Sequence, residues 1–248
     1  MKVGISIVHY GEQKLLNDCL ACFTHETIYQ SNIKIFDCNK ENVGFSLGNN
    51  INIKFFLDIF SRGMYEENLP DNQMDWVWVL NNDTVTPKET FIAVEKILPE
   101  LDSSIGIVGF QIRSMDDHDF IHHAGTYECL PAGIHKSGSV RLKQFNQRTN
   151  EKWVTFASVL IRREVFERIG LLDEKMFNYF SDSDFCYRTR YAGFKIIYEP
   201  SFVIYHKIGS SQNPTPSQIR ILQQDSMAFQ NKWINGKAFF DLDKELLT

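Results

Sequence analysis

The apolar residues of this chain are grouped in short runs that alternate with segments of helical spacing. Continuous apolar runs predict buried strands, whereas apolar residues three or four positions apart predict helices. The predicted strands are residues 2–10, 32–38, 76–80, 105–112 and 153–161. The predicted helices are residues 12–23, 48–60 and 163–169. This alternation predicts an α/β fold with a mostly parallel central sheet flanked by helices.

The pattern becomes less regular in the second half of the chain. Residues 114–152 are polar and irregular, and we interpret them as a long insertion of the kind that often carries function. FKIIYEP and FVIYHK predict two more short strands, and the segment from Pro216 onward has helical spacing. We therefore expect a main domain over 1–212. A helical extension over 213–248 would pack on that domain or on a partner.

Composition narrows the class of protein. The 248 residues are 43% hydrophobic and 13% aromatic, which is enough for a sizeable core. The formal net charge of -5 argues against a nucleic-acid binder, because such proteins present a basic face. No run approaches the 18 apolar residues of a membrane span, and the N-terminal run has no cleavage site. We expect a cytoplasmic protein without a transmembrane segment, with peripheral contact at the inner face of the plasma membrane left open.

The stretch WVWVLNNDTVTP places three polar residues directly after a buried strand. Asn81, Asn82 and Asp83 would emerge at the carboxyl end of that strand, where ligands bind in open parallel sheets. A carboxylate at this position can bind Mg²⁺ or Mn²⁺, and the amides can hydrogen-bond a ribose or a phosphate. The alternative is an ordinary turn, since Asn and Asp favour turns.

Two downstream stretches offer further chemistry. In FNYFSDSDFCYR, Asp182 and Asp184 follow an aromatic run, and a carboxylate packed against apolar residues becomes a better general base. The alternative is a helix N-terminus that Ser181 and Asp182 cap. His206 ends a predicted strand, where it is either a structural histidine or a metal ligand.

Five segments, taken in order, resemble the family 2 inverting glycosyltransferases, in particular the bacterial rhamnosyltransferase-like members. They are SIVHYGEQKLLNDCL, ENVGFSLGNN, WVWVLNNDTVTP, WVTFASVLIRREVFERIGLLDEKMFNYFSDSDFCYRTRYAGFKIIYEP and VIYHKIGSS, which span about residues 3–211. The resemblance implies a GT-A fold, a single nucleotide-binding α/β domain that uses an activated sugar.

The resemblance also implies roles for individual residues. Asn81-Asn82-Asp83 resembles the family's D-x-D element, with Asn81 at a position that is normally acidic, and Asp83 would hold the divalent metal. His206 would complete the metal site. Asp182 resembles the catalytic base of the family's Glu-Asp element, with Ser181 in place of the preceding acid.

Other matches to the family pattern imply substrate contacts. The donor-binding candidates are His9, Tyr10, Asn42, Gly44, Asn49, Asn81 and Asn82. The acceptor-binding candidates are Trp153, Phe156 and Asp184. The family's second strand, which ends in an Asp-Asn-x-Ser-like turn, is expected to be short or absent here, with residues 28–29 as its remnant.

These observations lead to one main functional hypothesis. The chain would be a metal-dependent inverting glycosyltransferase with a UDP- or dTDP-sugar donor and a glycan or glycolipid acceptor, acting in bacterial surface polysaccharide synthesis. One alternative is a non-catalytic nucleotide-sugar-binding module, and a remoter one is a nucleotidyltransferase. The terminal helix leaves a homodimer open as a further partner.

Overall fold

A computed structural model of the protein describes residues 1–23, 32–57, 74–127, 134–207 and 214–234. The strands within these ranges are β1 (Val3–His9), β2 (Ile33–Asp37), β3 (Trp76–Asn81), β4 (Thr84–Val85), β5 (Ile105–Ser114), β6 (Phe120–His123), β7 (Thr126–Tyr127), β8 (Ile134–His135), β9 (Gly138–Ser139), β10 (Thr149–Glu151), β11 (Ser158–Arg162) and β12 (Lys195–His206). The α-helices are α1 (Gln13–Ala21), α2 (Gly44–Phe56), α3 (Lys88–Ile97), α4 (Arg163–Ile169), α5 (Ser181–Tyr191) and α6 (Pro216–Trp233). Within the described ranges, 3-10 helices also occupy Leu98–Glu100 and Lys143–Asn146.

The central sheet has the strand order β10-β12-β5-β11-β3-β1-β2. Among the described strands from β12 to β2, only β11 runs against the others. The carboxyl ends of β1, β2, β3 and β12 therefore meet at one edge of the sheet. The prediction of an α/β fold with a mostly parallel central sheet is confirmed.

The β3 strand lies in the middle of the sheet and is buried on both faces. Trp76, Trp78 and Leu80 face a core that includes residues of α1 and α3. Val77 and Val79 face the opposite core, which includes residues of α2, α4 and α5. Because both faces of the strand are covered, its sequence is a continuous apolar run.

The structure corrects several element boundaries. The predicted strand 153–161 is a loop up to residue 157, followed by β11. FKIIYEP and FVIYHK form one strand, β12, whose register with β5 shifts between Glu199 and Val203. Pro200 lies in that gap and has no N–H to donate, which explains the interrupted ladder.

The described parts of the 114–152 insertion contain β6 to β10. Residues 58–73, with the end of the second predicted helix, lie outside the described ranges.

The α6 helix packs on the main body of the described structure. Phe229 and Trp233 are buried against Met176 and Tyr187, and the Tyr187 and Trp233 rings lie 5.3 Å apart. α6 therefore contacts α5 and the segment that precedes it. Within the described ranges, none of the helices combines the length and apolarity that a membrane span requires.

Gly44 begins α2 at a point where another part of the chain leaves no room for a side chain. Its φ of 81° lies in the left-handed region, and a Cβ on this residue would lie 2.5 Å from the Phe177 carbonyl oxygen. Gly193 provides a matched comparison, because its φ is 87° but a Cβ there would meet nothing within 4 Å.

We predict that Gly44→Ala destabilises the fold more than Gly193→Ala. Left-handed backbone strain alone costs about 1–2 kcal/mol and applies to both variants. Displacement of the Phe177 carbonyl should raise the total for Gly44→Ala to about 3 kcal/mol or more. Urea unfolding followed by tryptophan fluorescence measures both losses, and equal losses would contradict the close approach.

Candidate active site

The short strand β4 joins the end of β3 to the end of β12. β4 pairs antiparallel with β12 and places Thr84 opposite His206, and the Lys207 N–H donates to the Asp83 carbonyl at 3.0 Å. This pairing brings together two side chains that are distant in sequence. His206 Nε2 lies 3.0 Å from Asp83 Oδ1, and both side chains remain partly exposed, at 16% and 24%.

The spacing of these two atoms fits a divalent-metal site. Two ligands at right angles, each about 2.1 Å from an octahedral cation, are about 3.0 Å apart. The Asn81 amide lies 3.4 Å from His206 Nε2, and rotation of the amide by half a turn would present its oxygen instead. The described ranges hold no group of three or more His, Cys, Asp and Glu side chains that could bind a metal. A cation at Asp83 and His206 would therefore need further ligands from the substrate or from water.

Asn82 connects the end of β3 to the end of β1 through side-chain hydrogen bonds. Its Nδ2 group donates to His9 Nδ1 at 2.9 Å and to the Tyr10 carbonyl at 3.2 Å. If His9 Nδ1 accepts this bond, the ring proton of neutral His9 lies on Nε2, a buried atom without a partner among the described residues. A buried donor of this kind is a group that a bound ligand can satisfy. The Tyr10 residue itself is 62% exposed.

Three predicted donor contacts, Asn42, Gly44 and Asn49, follow β2. The structure leaves Asn42 exposed and buries the other two. Asn42 is exposed, and its Oδ1 accepts from the Gly44 N–H at 3.1 Å. Gly44 is buried against Phe177, so its missing side chain makes room for the protein and not for a ligand. Asn49 is 1% exposed and its amide binds Ser6. Gly44 and Asn49 are therefore structural, and we do not retain them as donor contacts.

On the side of β1 away from β3, the neighbouring strand is β2, which pairs with β1 in parallel and sets His9 opposite Asp37. Residues 28–29, the expected remnant of a second strand, lie outside the described ranges. β2 ends at Asp37, which is exposed at the same sheet edge as His9. Asp37 is not among the predicted donor contacts, although the sequence contains the signal: NIKIFDC reads as a strand that ends in a carboxylate.

Asp182 lies in the first turn of α5 and is partly exposed. Its Oδ1 accepts from the Ser183 N–H at 2.8 Å. The predicted helix N-terminus is present, because α5 begins at Ser181, but the N-cap position is Phe180 and no side chain makes a capping bond there. Burial raises the pKa of Asp182 to about 6. A carboxylate with this pKa suits general-base chemistry near neutral pH.

Trp153 and Phe156 lie in the same core cluster as Phe185 and Cys186 of α5. The Phe156 N–H is close enough to the Asp182 carboxylate to limit the rise of its pKa, whereas the Trp153 indole nitrogen is buried without a hydrogen-bond partner among the described residues. Trp153 is 6% exposed and Phe156 is 2% exposed. Their side chains are therefore too buried to bind an acceptor directly, which corrects the prediction.

The loop over residues 153–157 connects the two halves of the site. At its end, the Ala157 carbonyl accepts from the Asn81 N–H at 2.9 Å. At its middle, the Val154 carbonyl accepts from Cys186 Sγ of α5 at 3.8 Å, and the Phe156 ring lies 5.8 Å from the Phe185 ring. A single loop therefore contacts both the Asn81-Asn82-Asp83 motif and the segment that carries Asp182.

Asp184 lies away from this site. It is fully buried and binds Arg188 Nε at 2.8 Å, Trp233 Nε1 at 2.8 Å and Lys232 Nζ at 2.7 Å. These partners occupy its carboxylate and anchor α6 to α5. We do not retain Asp184 as an acceptor contact, because it has no exposed oxygen to offer.

Comparison with known proteins identifies the family. A sequence profile described as "Glycosyltransferase like family 2" matches residues 59–225. The chain belongs to this glycosyltransferase-like family 2. The matched residues include the Asn81-Asn82-Asp83 motif, Asp182 and His206. A curated relative, the uncharacterized protein y4gI of Sinorhizobium fredii, is 29% identical over 142 residues, which cover 52% of this chain and 15% of the relative.

Solved structures identify the fold of this family 2 chain as GT-A. GalNAc-T7 with UDP, GalNAc and Mn²⁺ has a TM-score of 0.61 at 12% identity, covering 94% of this chain and 49% of that chain. S. aureus TarS 1–349 has a TM-score of 0.53 at 12% identity, covering 84% and 60%. The chain thus spans about half to three fifths of these structures and a small part of the curated relative.

The raised pKa of Asp182 predicts a pH-dependent gain in stability for Asp182→Asn. The pKa of an unfolded Asp is about 3.9. The folded value is higher, so the wild type loses stability as the pH rises from about 4 to about 6. The neutral variant should therefore exceed the wild type in free energy of unfolding by about 2–3 kcal/mol at pH 8 and about 1 kcal/mol at pH 4.5.

Urea unfolding at the two pH values measures this difference. Glu167→Gln, on the exposed face of α4, is the matched carboxylate-to-amide control and should change stability little at either pH. A gain for Asp182→Asn that is the same at both pH values would show that burial does not raise the pKa of this group.

Proposed function

We propose that this family 2 chain is a metal-dependent inverting glycosyltransferase. It would transfer a hexosyl or deoxyhexosyl group from a UDP- or dTDP-sugar to a hydroxyl of a glycan or glycolipid in bacterial surface polysaccharide synthesis. The observation that carries the proposal is the contact of one loop, residues 153–157, with two different groups. One is the motif whose Asp83 pairs with His206 at 3.0 Å. The other is α5, the helix that carries Asp182, with a pKa of about 6.

The proposed donor site is the sheet edge formed by the carboxyl ends of β1, β2 and β3. Tyr10, Asp37 and Asn42 are exposed there and are available to a nucleoside, while His9 has a buried N–H without a partner among the described residues. The fold of GalNAc-T7, whose structure contains UDP and Mn²⁺, supports a nucleotide and a metal at this edge. Asp83 and His206 would hold Mg²⁺ or Mn²⁺, and the bound cation supplies positive charge that offsets the charge of a leaving diphosphate.

Asp182 is the proposed general base. Its carboxylate accepts the proton of the acceptor hydroxyl, the acceptor oxygen forms a bond to the anomeric carbon, and the bond from that carbon to the diphosphate oxygen breaks. Attack from the side opposite the leaving group inverts the anomeric centre. Glycoside hydrolysis needs a second carboxylic acid to protonate its leaving oxygen. A nucleoside diphosphate leaves as an anion, so one carboxylate is sufficient for proton transfer.

Two other functions receive less support. A non-catalytic sugar-nucleotide-binding module has no need for a carboxylate with a pKa near neutrality, and maintaining one costs stability. A nucleotidyltransferase would need a glycine-rich, basic triphosphate loop after β1, where this chain has HYGEQK. The cytoplasmic location, a peripheral membrane contact and a homodimer remain predictions.

We predict that Asp182→Asn abolishes turnover and leaves donor binding intact. The amide cannot accept a proton at neutral pH, and loss of general-base catalysis costs about 100- to 10,000-fold in rate. The measurement is release of nucleoside diphosphate from a panel of UDP- and dTDP-sugars with Mn²⁺ and candidate acceptors. Full turnover by the variant would overturn the base assignment, and no release by the wild type from any donor would favour the binding module.

We also predict that Asp83→Asn and His206→Ala each weaken Mn²⁺-dependent UDP binding by at least about 10-fold. Each change removes one of the two proposed protein ligands. Asp75→Asn is the matched control, because Asp75 directly precedes the opposite end of β3 and pairs with Arg163. Isothermal titration calorimetry with and without Mn²⁺ measures the affinities. Unchanged Mn²⁺ dependence in both site variants would contradict the metal site.

A further inference from the structure

The carboxylate of Asp225, on α6, is buried and binds three consecutive backbone N–H groups. Asp225 is 1% exposed. Its Oδ1 accepts from the Phe177 N–H at 2.9 Å, and its Oδ2 accepts from the Asn178 and Tyr179 N–H groups, both at 2.8 Å. Successive N–H groups that converge on one anion form a concave binding site for negative charge. The described structure thus uses a side chain from the last helix to shape a distant segment of backbone.

The segment that Asp225 holds leads directly into the turn that carries Asp182. Phe180 follows the three N–H donors and has a φ of 62°, a left-handed conformation that is strained for a phenylalanine. The Phe180 carbonyl then accepts from the Asp184 N–H at 2.9 Å, which starts α5. The direction in which α5 leaves this turn determines where the Asp182 carboxylate lies. A fixed backbone at 177–179 is what holds the strained residue in place.

The opposite side of the same segment is held by α2. The Phe45 N–H donates to the Phe177 carbonyl at 2.8 Å. The Ser46 hydroxyl contacts the Ser181 hydroxyl at 2.6 Å and also donates to the Met176 carbonyl. The segment is therefore clamped between α2 and α6, and among the described residues Asp225 provides the carboxylate of this clamp.

We propose that Asp225 is a positioning residue that sets the place of the Asp182 carboxylate by ordering the 177–180 backbone. This inference rests on the proposed function, because it concerns the proposed base. α6 is then part of the catalytic apparatus and not only an extension that covers apolar surface. Asp225 itself touches no substrate, since its carboxylate is buried and occupied by backbone groups.

An isosteric substitution separates positioning from packing. In Asp225→Asn, one carboxylate oxygen becomes an NH₂ group that faces a backbone N–H, so at least one buried donor loses its acceptor. Misplacement of a catalytic group by about 1 Å lowers turnover by about 100-fold. We therefore expect a 10- to 100-fold loss of kcat. The donor KM should stay within about twofold, because the donor edge is formed by other elements.

The experiment compares full-length wild type, Asp225→Asn, Asp225→Glu and Glu199→Gln. Glu199 is the matched control, a buried carboxylate that binds Arg148 Nε at 2.6 Å and the Ser201 N–H at 3.1 Å in β12. Release of nucleoside diphosphate is measured with the UDP- or dTDP-sugar that the wild type turns over fastest. Rates are divided by the fraction of molecules that bind UDP and Mn²⁺, so that unfolded protein is not counted. Amide hydrogen exchange of Phe177, Asn178 and Tyr179 reports the clamp directly.

The expected result is a loss of kcat in Asp225→Asn with faster exchange of the three amides, partial recovery in Asp225→Glu, and normal kcat in Glu199→Gln. If Asp225→Asn does not fold, Asp225→Glu is judged by the same criteria, with a smaller loss expected. Normal kcat in a variant whose three amides exchange faster would overturn the proposal. So would unchanged exchange, or an equal loss in Glu199→Gln. Absence of turnover in the wild type is a different outcome, because it rejects the proposed function and leaves the exchange data to decide whether Asp225 orders the backbone.

Discussion

The pairing of β4 with the end of β12 is the contact on which the candidate site depends. It consists of two residues in each strand, yet it closes a loop of more than 100 residues and sets Asp83 beside His206. The pairing is possible because β12 continues past the register shift at Pro200 and reaches the same sheet edge as β3. Without the second half of β12, the Asn81-Asn82-Asp83 motif would be a polar turn at the end of a buried strand.

The proposed base, Asp182, is held by a separate set of contacts. The 153–157 loop packs against α5, which carries Asp182, and the backbone before Asp182 is clamped by Ser46 from α2 and Asp225 from α6. The reversed strand β11 connects the two sets, because the loop that leads into it contacts both Asn81 and α5. The proposed metal ligands and the proposed base can therefore be held in fixed relation without a direct contact between them. Burial of the Asp182 carboxylate lowers the stability of the fold. The contacts that hold the preceding backbone keep the carboxylate in this position.

The sequence predicted most of the fold because its signals are local. WVWVL is apolar throughout because both faces of β3 are covered, and the chain alternates strand and helix as an α/β sheet requires. The errors have physical causes. Pro200 separated two apolar runs that the structure joins in one strand. The 153–157 loop has the composition of a strand, because Trp153 and Phe156 are buried in the core. Gly44 and Asn49 have the residue types of a ligand site, but the Phe177 backbone and Ser6 already occupy the space beside them.

By itself, the sequence determined the class of fold and the family, and it proposed Asp83, Asp182 and His206 as site residues, because periodic patterns and ordered motifs can be recognised without coordinates. Only the tertiary structure decided which polar side chains lie at the sheet edge that forms the candidate site. Asp182 and Asp184 illustrate the difference. They are two residues apart on α5, and successive helical positions turn by about 100°, so the two side chains point to nearly opposite sides of the helix. One meets the 153–157 loop and the other meets α6. The identity of the residues was visible in the chain, but the direction in which each faces depended on how α5 is packed.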